Sequence, residues 1–486
     1  MTRRTQFRLL VAFTIVWIAW AAWTLVGRTH PYELRVLDDL GVPIVSAVVD
    51  VGGSQVGTTG DDGRVDMVWR RSATVLEVGA PGHISQRVTL GDEPEAVVDV
   101  VLKARVLRGR VVDVGGEGVE GASVQTSAAG ATTDGDGYFQ IRGAAEGAVE
   151  VTRPAWVSTS FEWDGGAGDT QVALEPFVAR AVHIDGPSMR DDFDRFVDMA
   201  MTTELNALMI DLKDETGEVW YNSDNPTADA VDATSASFDL GATVERAHDL
   251  GLYVIGRIVL FNDPIAAVAQ PDMAVWDSST NSPYEANGQF FLDPTDPAAR
   301  QYGMELAVEG CAAGLDEVQF DYVRFPDARR DSATFDGGVS PEVRTSTISN
   351  FLSEAVATLR PMGCAVAADI FGYLTTAEND GGIGQQWEEV VSIVDVVSPM
   401  LYPSHFHPTF YGFPSNERPG EVVARALGDG MERISGQVVV RPWLQDFGYD
   451  TSLVREQIDA VEQLGLGWML WNAESRVTVE ALQPVE

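Results

Sequence analysis

Asp321 and Asp369 stand in two strand-like runs, EVQFDYVRFP (317–326) and AVAADIF (365–371). If these runs are β-strands, successive side chains point to opposite faces. Glu317, Gln319 and Asp321 then share one face, with Val318 and Phe320 on the other. Asp369 shares its face with Ala365 and Ala367. Strands paired side by side lie about 4.8 Å apart. Two carboxylates delivered at that spacing suit acid/base and nucleophilic work at a glycosidic bond. A single aspartate at a strand end means little, because such ends are wet in any barrel. Two of them on adjacent strands are the sharper signal.

Other strand ends add to this list. Asp446 and Glu474 supply further carboxylates, so the partner acid of Asp321 stays open among Asp369, Asp446 and Glu474. Asp211, Lys213, Arg257, Arg324, Tyr402, His405, Trp443, Gln445 and Trp471 are expected to contact substrate, with rings stacking on sugar faces and cations and amides meeting hydroxyls. Lys213 is one of only two lysines in the chain, and it either bonds a hydroxyl, holds Asp211 or forms a plain salt bridge. Arg324 either orients Asp321 or belongs to the following loop. His405 and His407 have the look of a metal pair, but no third ligand stands at a fitting spacing. Neither a metal nor a cofactor is expected.

Eight strands are needed to position these groups. They are read at 181–185, 207–213, 253–259, 317–323, 365–371, 394–402, 438–447 and 467–472. Amphipathic stretches such as DDFDRFVDMAMTTEL and PAARQYGMELAVEGCAAG separate them. Strand–helix alternation repeated eight times predicts a (β/α)8 TIM barrel over 178–486, with active residues at the C-terminal strand ends. An open doubly wound sheet is disfavoured, since no Gly-rich phosphate loop follows the first strand. Residues 31–104 and 105–177 lack helical periodicity and repeat one pattern. LDDLGVPIVSAVVDVGGSQVGTTGDDGRVDM in the first matches VVDVGGEGVEGASVQTSAAGATTDGDGYFQI in the second. The Asp-Gly clusters at 61–63 and 134–137 are expected to serve as hairpin turns rather than calcium ligands.

The two repeats resemble the carboxypeptidase regulatory-like β-sandwich, which implies small seven-strand modules used as spacers or as sugar-adhering units. DLKDETG (211–217), EVQFDYVRFP, DIFGY (369–373) and SPMLYPSHF (398–406) resemble the glycosyl hydrolase-type family DUF4015 across about 180–475. That resemblance implies a TIM-barrel glycosidase ancestry without naming a sugar. Carried over by position, Asp321 would be the nucleophile and Asp369 the acid. Amylase-like barrels usually place a glutamate on the fifth strand, so the aspartate there keeps the acid open.

The chain of 486 residues carries a net charge of −40, with 73 acidic against 33 basic residues, which argues against a nucleic-acid partner. Arg3, Arg4 and Arg8 precede an uncharged apolar run, Leu9 to Gly27, which would span roughly 28 Å as a helix. Residues 1–30 are therefore expected to form a cytoplasmic stub and a single-pass anchor, a cleaved signal being the alternative. Either way the body would lie outside the cytoplasm. Cys311 and Cys364 fit a disulfide or two buried thiols equally well. The expectation is an exported glycoside hydrolase with a polysaccharide partner. The alternatives are a non-catalytic carbohydrate-binding or wall-organising protein, and an exported deacetylase or metallohydrolase that would require metal ligands.

Overall fold

The computed structural model describes residues 11, 13–18, 20, 29–70, 75–90, 95–327 and 329–485. The expected anchor, Leu9 to Gly27, lies largely outside the described residues. Among the described ones, no helix is long and apolar enough to cross a membrane. The chain divides into two compact units, Met1–Arg153 with Ser158–Glu175, and Pro154–Val157 with Pro176–Glu486.

The first unit is strand-rich. Its first repeat holds two four-stranded sheets, and its second holds one four-stranded and one three-stranded sheet. In the first repeat, Leu34, Val36 and Val100 from one sheet share a buried core with Val49, Leu76 and Val78 from the other. The two repeats reproduce one hydrogen-bond pattern. The Thr59 hydroxyl donates to the Ile44 carbonyl and accepts the Ala47 amide. Thr133 does the same with Val119 and Ala122. The Asp-Gly clusters do turn chemistry: the Asp134 carboxylate accepts the backbone N–H groups of Asp136 and Tyr138. Gly137 sits at φ +81°, and a Cβ there would lie 2.3 Å from the Val111 carbonyl, so only glycine fits.

The second unit is a closed parallel barrel. Its strands are β1 (Arg180–Ile184), β2 (Ala207–Lys213), β3 (Tyr253–Val259), β4 (Glu317–Asp321), β5 (Ala365–Phe371), β6 (Val396–Leu401), β7 (Trp443–Gln445) and β8 (Trp468–Trp471). Each pairs with the next, and β1 pairs with both β2 and β8 to close the ring. All eight expected strands are present, with two informative differences. Strand β4 stops at Asp321 because Tyr322 turns left-handed at φ +48°. The run expected over 438–447 breaks at Pro442, which has no N–H for the ladder; Val439–Val440 pairs separately with β6.

Among the described residues, one longer helix follows each of the first seven strands: α1 (Gly186–Thr202), α2 (Leu240–Asp249), α3 (Pro297–Ala312), α4 (Pro341–Leu359), α5 (Trp387–Ile393), α6 (Pro419–Met431) and α7 (Thr451–Glu462), with short helices Pro226–Ala230 and Pro264–Ala269 in the loops after β2 and β3. The expected eighth helix is absent among the described residues, where β8 is followed only by a 3-10 turn, Val479–Ala481. Six of the seven begin with an Asp or Ser cap, a proline in the first turn, or both. Asp185, Asp296 and Asp450, for example, accept amides of the first turn. Val318, Phe320, Val366 and Ile370 pack outward against helix residues such as Phe351 and Leu352. Cys311 in α3 forms a disulfide with Cys364, the residue before β5.

The barrel interior carries charge at its floor. Glu317 on β4 accepts two hydrogen bonds of 2.9 Å from Arg441 and one of 3.1 Å from the Tyr253 hydroxyl. All three side chains are inward, and alanines 181, 207, 365 and 367 leave room for the guanidinium and the neighbouring rings. Breaking a fully buried pair strands one charge without compensation. Glu317→Ala is expected to cost about 3–5 kcal/mol, read as a lower urea midpoint at unchanged slope. The Glu317→Met, Arg441→Met double variant is expected to recover most of that loss.

Candidate active site

Arg257 on β3 organises the barrel mouth. It is 0% exposed and reaches three carboxylates. Its Nη1 donates to Asp211 on β2 at 2.8 Å; its Nη2 donates to Asp321 on β4 at 2.6 Å and also to Glu215 in the loop after β2; its Nε donates to Asp321 at 3.1 Å. Burial alone would weaken its proton affinity, but the charges of Glu215, Asp211 and Asp321 raise it well above the usual guanidinium range. Asp211 is also bonded by His183 Nε2 at 2.8 Å, while His183 Nδ1 lies 2.8 Å from the Asn472 carbonyl. Burial would raise the Asp211 carboxyl, yet His183 and Arg257 outweigh it and hold it below the usual range. Burial likewise opposes the His183 cation, and Asp211 overcomes it, so the imidazole is raised.

Asp369 stands in the opposite electrostatic situation. The register of β4 with β5, Gln319 beside Ala367 and Phe320 beside Ala368, brings Asp321 alongside Asp369. One Asp369 oxygen accepts from the Trp443 indole at 2.7 Å and from the Gln319 amide. Its other oxygen is buried without a protein partner. Burial first, and the neighbouring Asp321 charge second, push its carboxyl well above the usual range. Its surroundings therefore favour the proton-bearing acid, beside an ion-paired carboxylate.

A cavity of about 630 Å³ opens at the C-terminal strand ends. Asp321 and Glu215 contribute its carboxylates. Tyr322, Phe371, Tyr373, Tyr402, Phe406, Phe410, Trp443 and Trp471 form aromatic walls, joined by His405 and His407. Such a lining of rings with a few convergent polar groups is the usual build of a sugar or small-molecule site. Trp471 stacks on His183 at 4.2 Å and meets Trp443 edge-on at 5.3 Å, so both rings are held from behind. Arg324 lies 4.6 Å over the Tyr322 ring and 4.8 Å over the Phe371 ring. It props two pocket walls and pairs with Asp327 at 3.1 Å, rather than orienting Asp321.

Several expected residues stand elsewhere. Lys213 shares sequence parity with Asp211 and was expected in the mouth. The β2–β3 register slips between those two residues, and this bulge turns Lys213 outward. There it bonds the Val259 carbonyl at 2.7 Å and Asp263 at 2.9 Å, beside Tyr302. Asp446 follows Gln445 and so has outward parity; its carboxylate accepts the Thr478 amide at 2.9 Å, and burial pushes it up to about 6. Glu474 is exposed and paired with Arg476. Gln445 ties the loops after β6 and β7 together, accepting the Ser404 amide and donating to the Phe447 carbonyl. Asp211 and Arg257 are consumed by internal pairs beneath the lining, whereas Tyr402, His405, Trp443 and Trp471 face the pocket.

Residues 181–477 match the family DUF4015, described as "Putative glycosyl hydrolase domain". The chain belongs to this family. Family membership accounts for most of the barrel unit and leaves the strand-rich unit outside the match. Among solved structures, a hypothetical protein from Ruminiclostridium thermocellum is 32% identical, covering 39% of this chain and 96% of its own, with a TM-score of 0.35. The PgaB (BpsB) glycoside hydrolase domain from Bordetella bronchiseptica is 14% identical over 62% of this chain and 95% of its own, with a TM-score of 0.43. The glycoside hydrolase domain of PelA from Pseudomonas aeruginosa is 9% identical over 63% and 97%, with a TM-score of 0.38. No curated protein matches the chain.

Proposed function

We propose that this DUF4015 member is an exported glycoside hydrolase acting on a polysaccharide, with Asp321 as the nucleophile or charge stabiliser and Asp369 as the acid. The observation that carries the reading is the divergence of two neighbouring carboxyl environments. Asp321 is ion-paired with Arg257 and lines the cavity, while Asp369 is buried and raised. Pairs of acids whose surroundings push their protonation apart can split the two roles that glycoside cleavage needs. In the proposed step the Asp369 proton passes to the glycosidic oxygen as the bond to the anomeric carbon breaks, and Asp321 stabilises or attacks that carbon. Water then completes hydrolysis, the proton returning to Asp369. The unpaired Asp369 oxygen is the proton-bearing one, because the Trp443 indole and the Gln319 amide already donate to its partner.

Export is supported by the Cys311–Cys364 disulfide, since such bonds persist in oxidising compartments. The apolar Leu9 to Gly27 run would tether the protein, and the two strand-rich repeats would act as spacers or sugar-adhering units. The test is release of reducing ends from a panel of cell-envelope and environmental polysaccharides. Cleavage of at least one polymer, lost when Asp321 or Asp369 is replaced, supports the reading. Tight binding without any bond cleavage would instead make the barrel a carbohydrate-binding module.

A further inference from the structure

The charge at the mouth is unbalanced, and the excess faces the cavity. Asp211, Glu215 and Asp321 converge on Arg257, and the His183 imidazole also meets Asp211. Three carboxylates against one guanidinium leave negative charge uncompensated, even when His183 carries a proton. Glu215 is the most open of the three, with a side chain 35% exposed against 10% for Asp321 and 2% for Asp211. The residues lining the cavity include no lysine or arginine. Of the lining imidazoles, His405 is lowered by burial, which makes it a neutral hydrogen-bonding ring and not a counter-ion for an anionic sugar. Tyr402 also lines the cavity at 7% exposure, and its hydroxyl has no hydrogen-bond partner among the described residues. Burial and the charges of Asp321 and Asp369 keep that hydroxyl protonated, so it is a free donor.

Resting on the glycosidase reading above, we propose that this pocket selects cationic amino-sugar polymers, with Glu215 receiving the ammonium group of a de-N-acetylated hexosamine. An ammonium satisfies the leftover carboxylate charge, and Glu215 is the carboxylate most open to it. A uronate or sulfated sugar would meet two carboxylates and no lining lysine or arginine. The net charge of −40 also draws a polycation toward the protein and repels a polyanion. Glu215 lies in the DLKDETG stretch, in the loop after β2, where strand alternation says nothing about side-chain direction.

The test compares the full chain on glucosamine and galactosamine polymers, each as the free amine and as the N-acetylated form, with polygalacturonate as the anionic control. Binding is measured by calorimetry and cleavage by reducing ends, at low and high salt. The expected result is roughly tenfold or more tighter binding of a free-amine polymer than of its N-acetylated form, with no binding of polygalacturonate. That preference shrinks in high salt and is erased in Glu215→Gln, while the exposed Glu474→Gln variant keeps it. Equal or better binding of the acetylated or anionic polymers, no binding of any polymer, or a preference that survives Glu215→Gln would overturn the proposal. Equal loss on every polymer in Glu215→Gln also overturns it, since Glu215 would then serve catalysis and not selection. Amine-selective binding without cleavage removes the glycosidase reading and leaves the selectivity standing. Cleavage without amine preference does the reverse.

Discussion

Asp321→Asn is expected to lower turnover by about 10³-fold or more while leaving polysaccharide affinity within a few-fold. The substitution is nearly isosteric. Its side-chain oxygen can still accept the Tyr322 amide, which lies 2.6 Å from the aspartate. Arg257 keeps Asp211 and Glu215 as partners, so the mouth retains a charge-compensated guanidinium and the barrel should still fold. What disappears is the negative charge that Asp321 presents to the cavity, which stabilises or attacks the anomeric centre in the proposed step. Reducing-end release measures the first effect and calorimetry the second. Unchanged turnover would remove Asp321 from the mechanism. A parallel collapse of binding and thermal stability would instead mark it as a structural ion-pair partner of Arg257.

Asp369→Asn is expected to lower kcat/KM by about 10²–10⁴-fold, the usual worth of a positioned acid, and to change stability in the opposite sense. In the wild type the acid must hold its proton, so the rate should fall as pH rises through its elevated pKa. Arg257, Asp321, Gln319 and Trp443 are the neighbours that set this value. The stability sign follows from the same shift. The folded pKa lies above the unfolded value of about 3.9, so the contribution of this group is intact below that value. It is lost as pH climbs through the folded pKa, because the unfolded chain ionises first. Asparagine does not titrate. The variant should therefore gain stability relative to the wild type as pH rises above about 4, levelling off once the folded carboxyl has ionised. Urea unfolding across pH checks this, and kcat/KM profiles check the alkaline limb. An unaltered rate would pass the acid role to Glu215, the other carboxylate lining the cavity.

Local periodicity made the scaffold readable. Alternation put Asp321 and Asp369 on the inner face of β4 and β5, and their partners Val318, Phe320, Val366 and Ile370 lie in the outer core. The same alternation puts His183 on the inner face of β1, two residues before Asp185. The sequence context of Asp185, Asp-Gly-Pro-Ser, is a helix start, and Asp185 caps α1 by accepting the Ser188 amide. Gln319 was on the inner face as well, but its bond to Asp369 depends on two side chains reaching across strands.

Residue spacing along short segments was enough to read the eight-strand barrel, the paired carboxylates of β4 and β5, and the doubled strand-rich pattern ahead of them. Which charges meet was set by the folded chain. A bulge in the β2–β3 pairing turned Lys213 away from the mouth, and loop paths left Glu474 in solvent while bringing Glu215 to Arg257. Those outcomes depend on how strands register and how loops close over them, and neither is written in the spacing of any single segment.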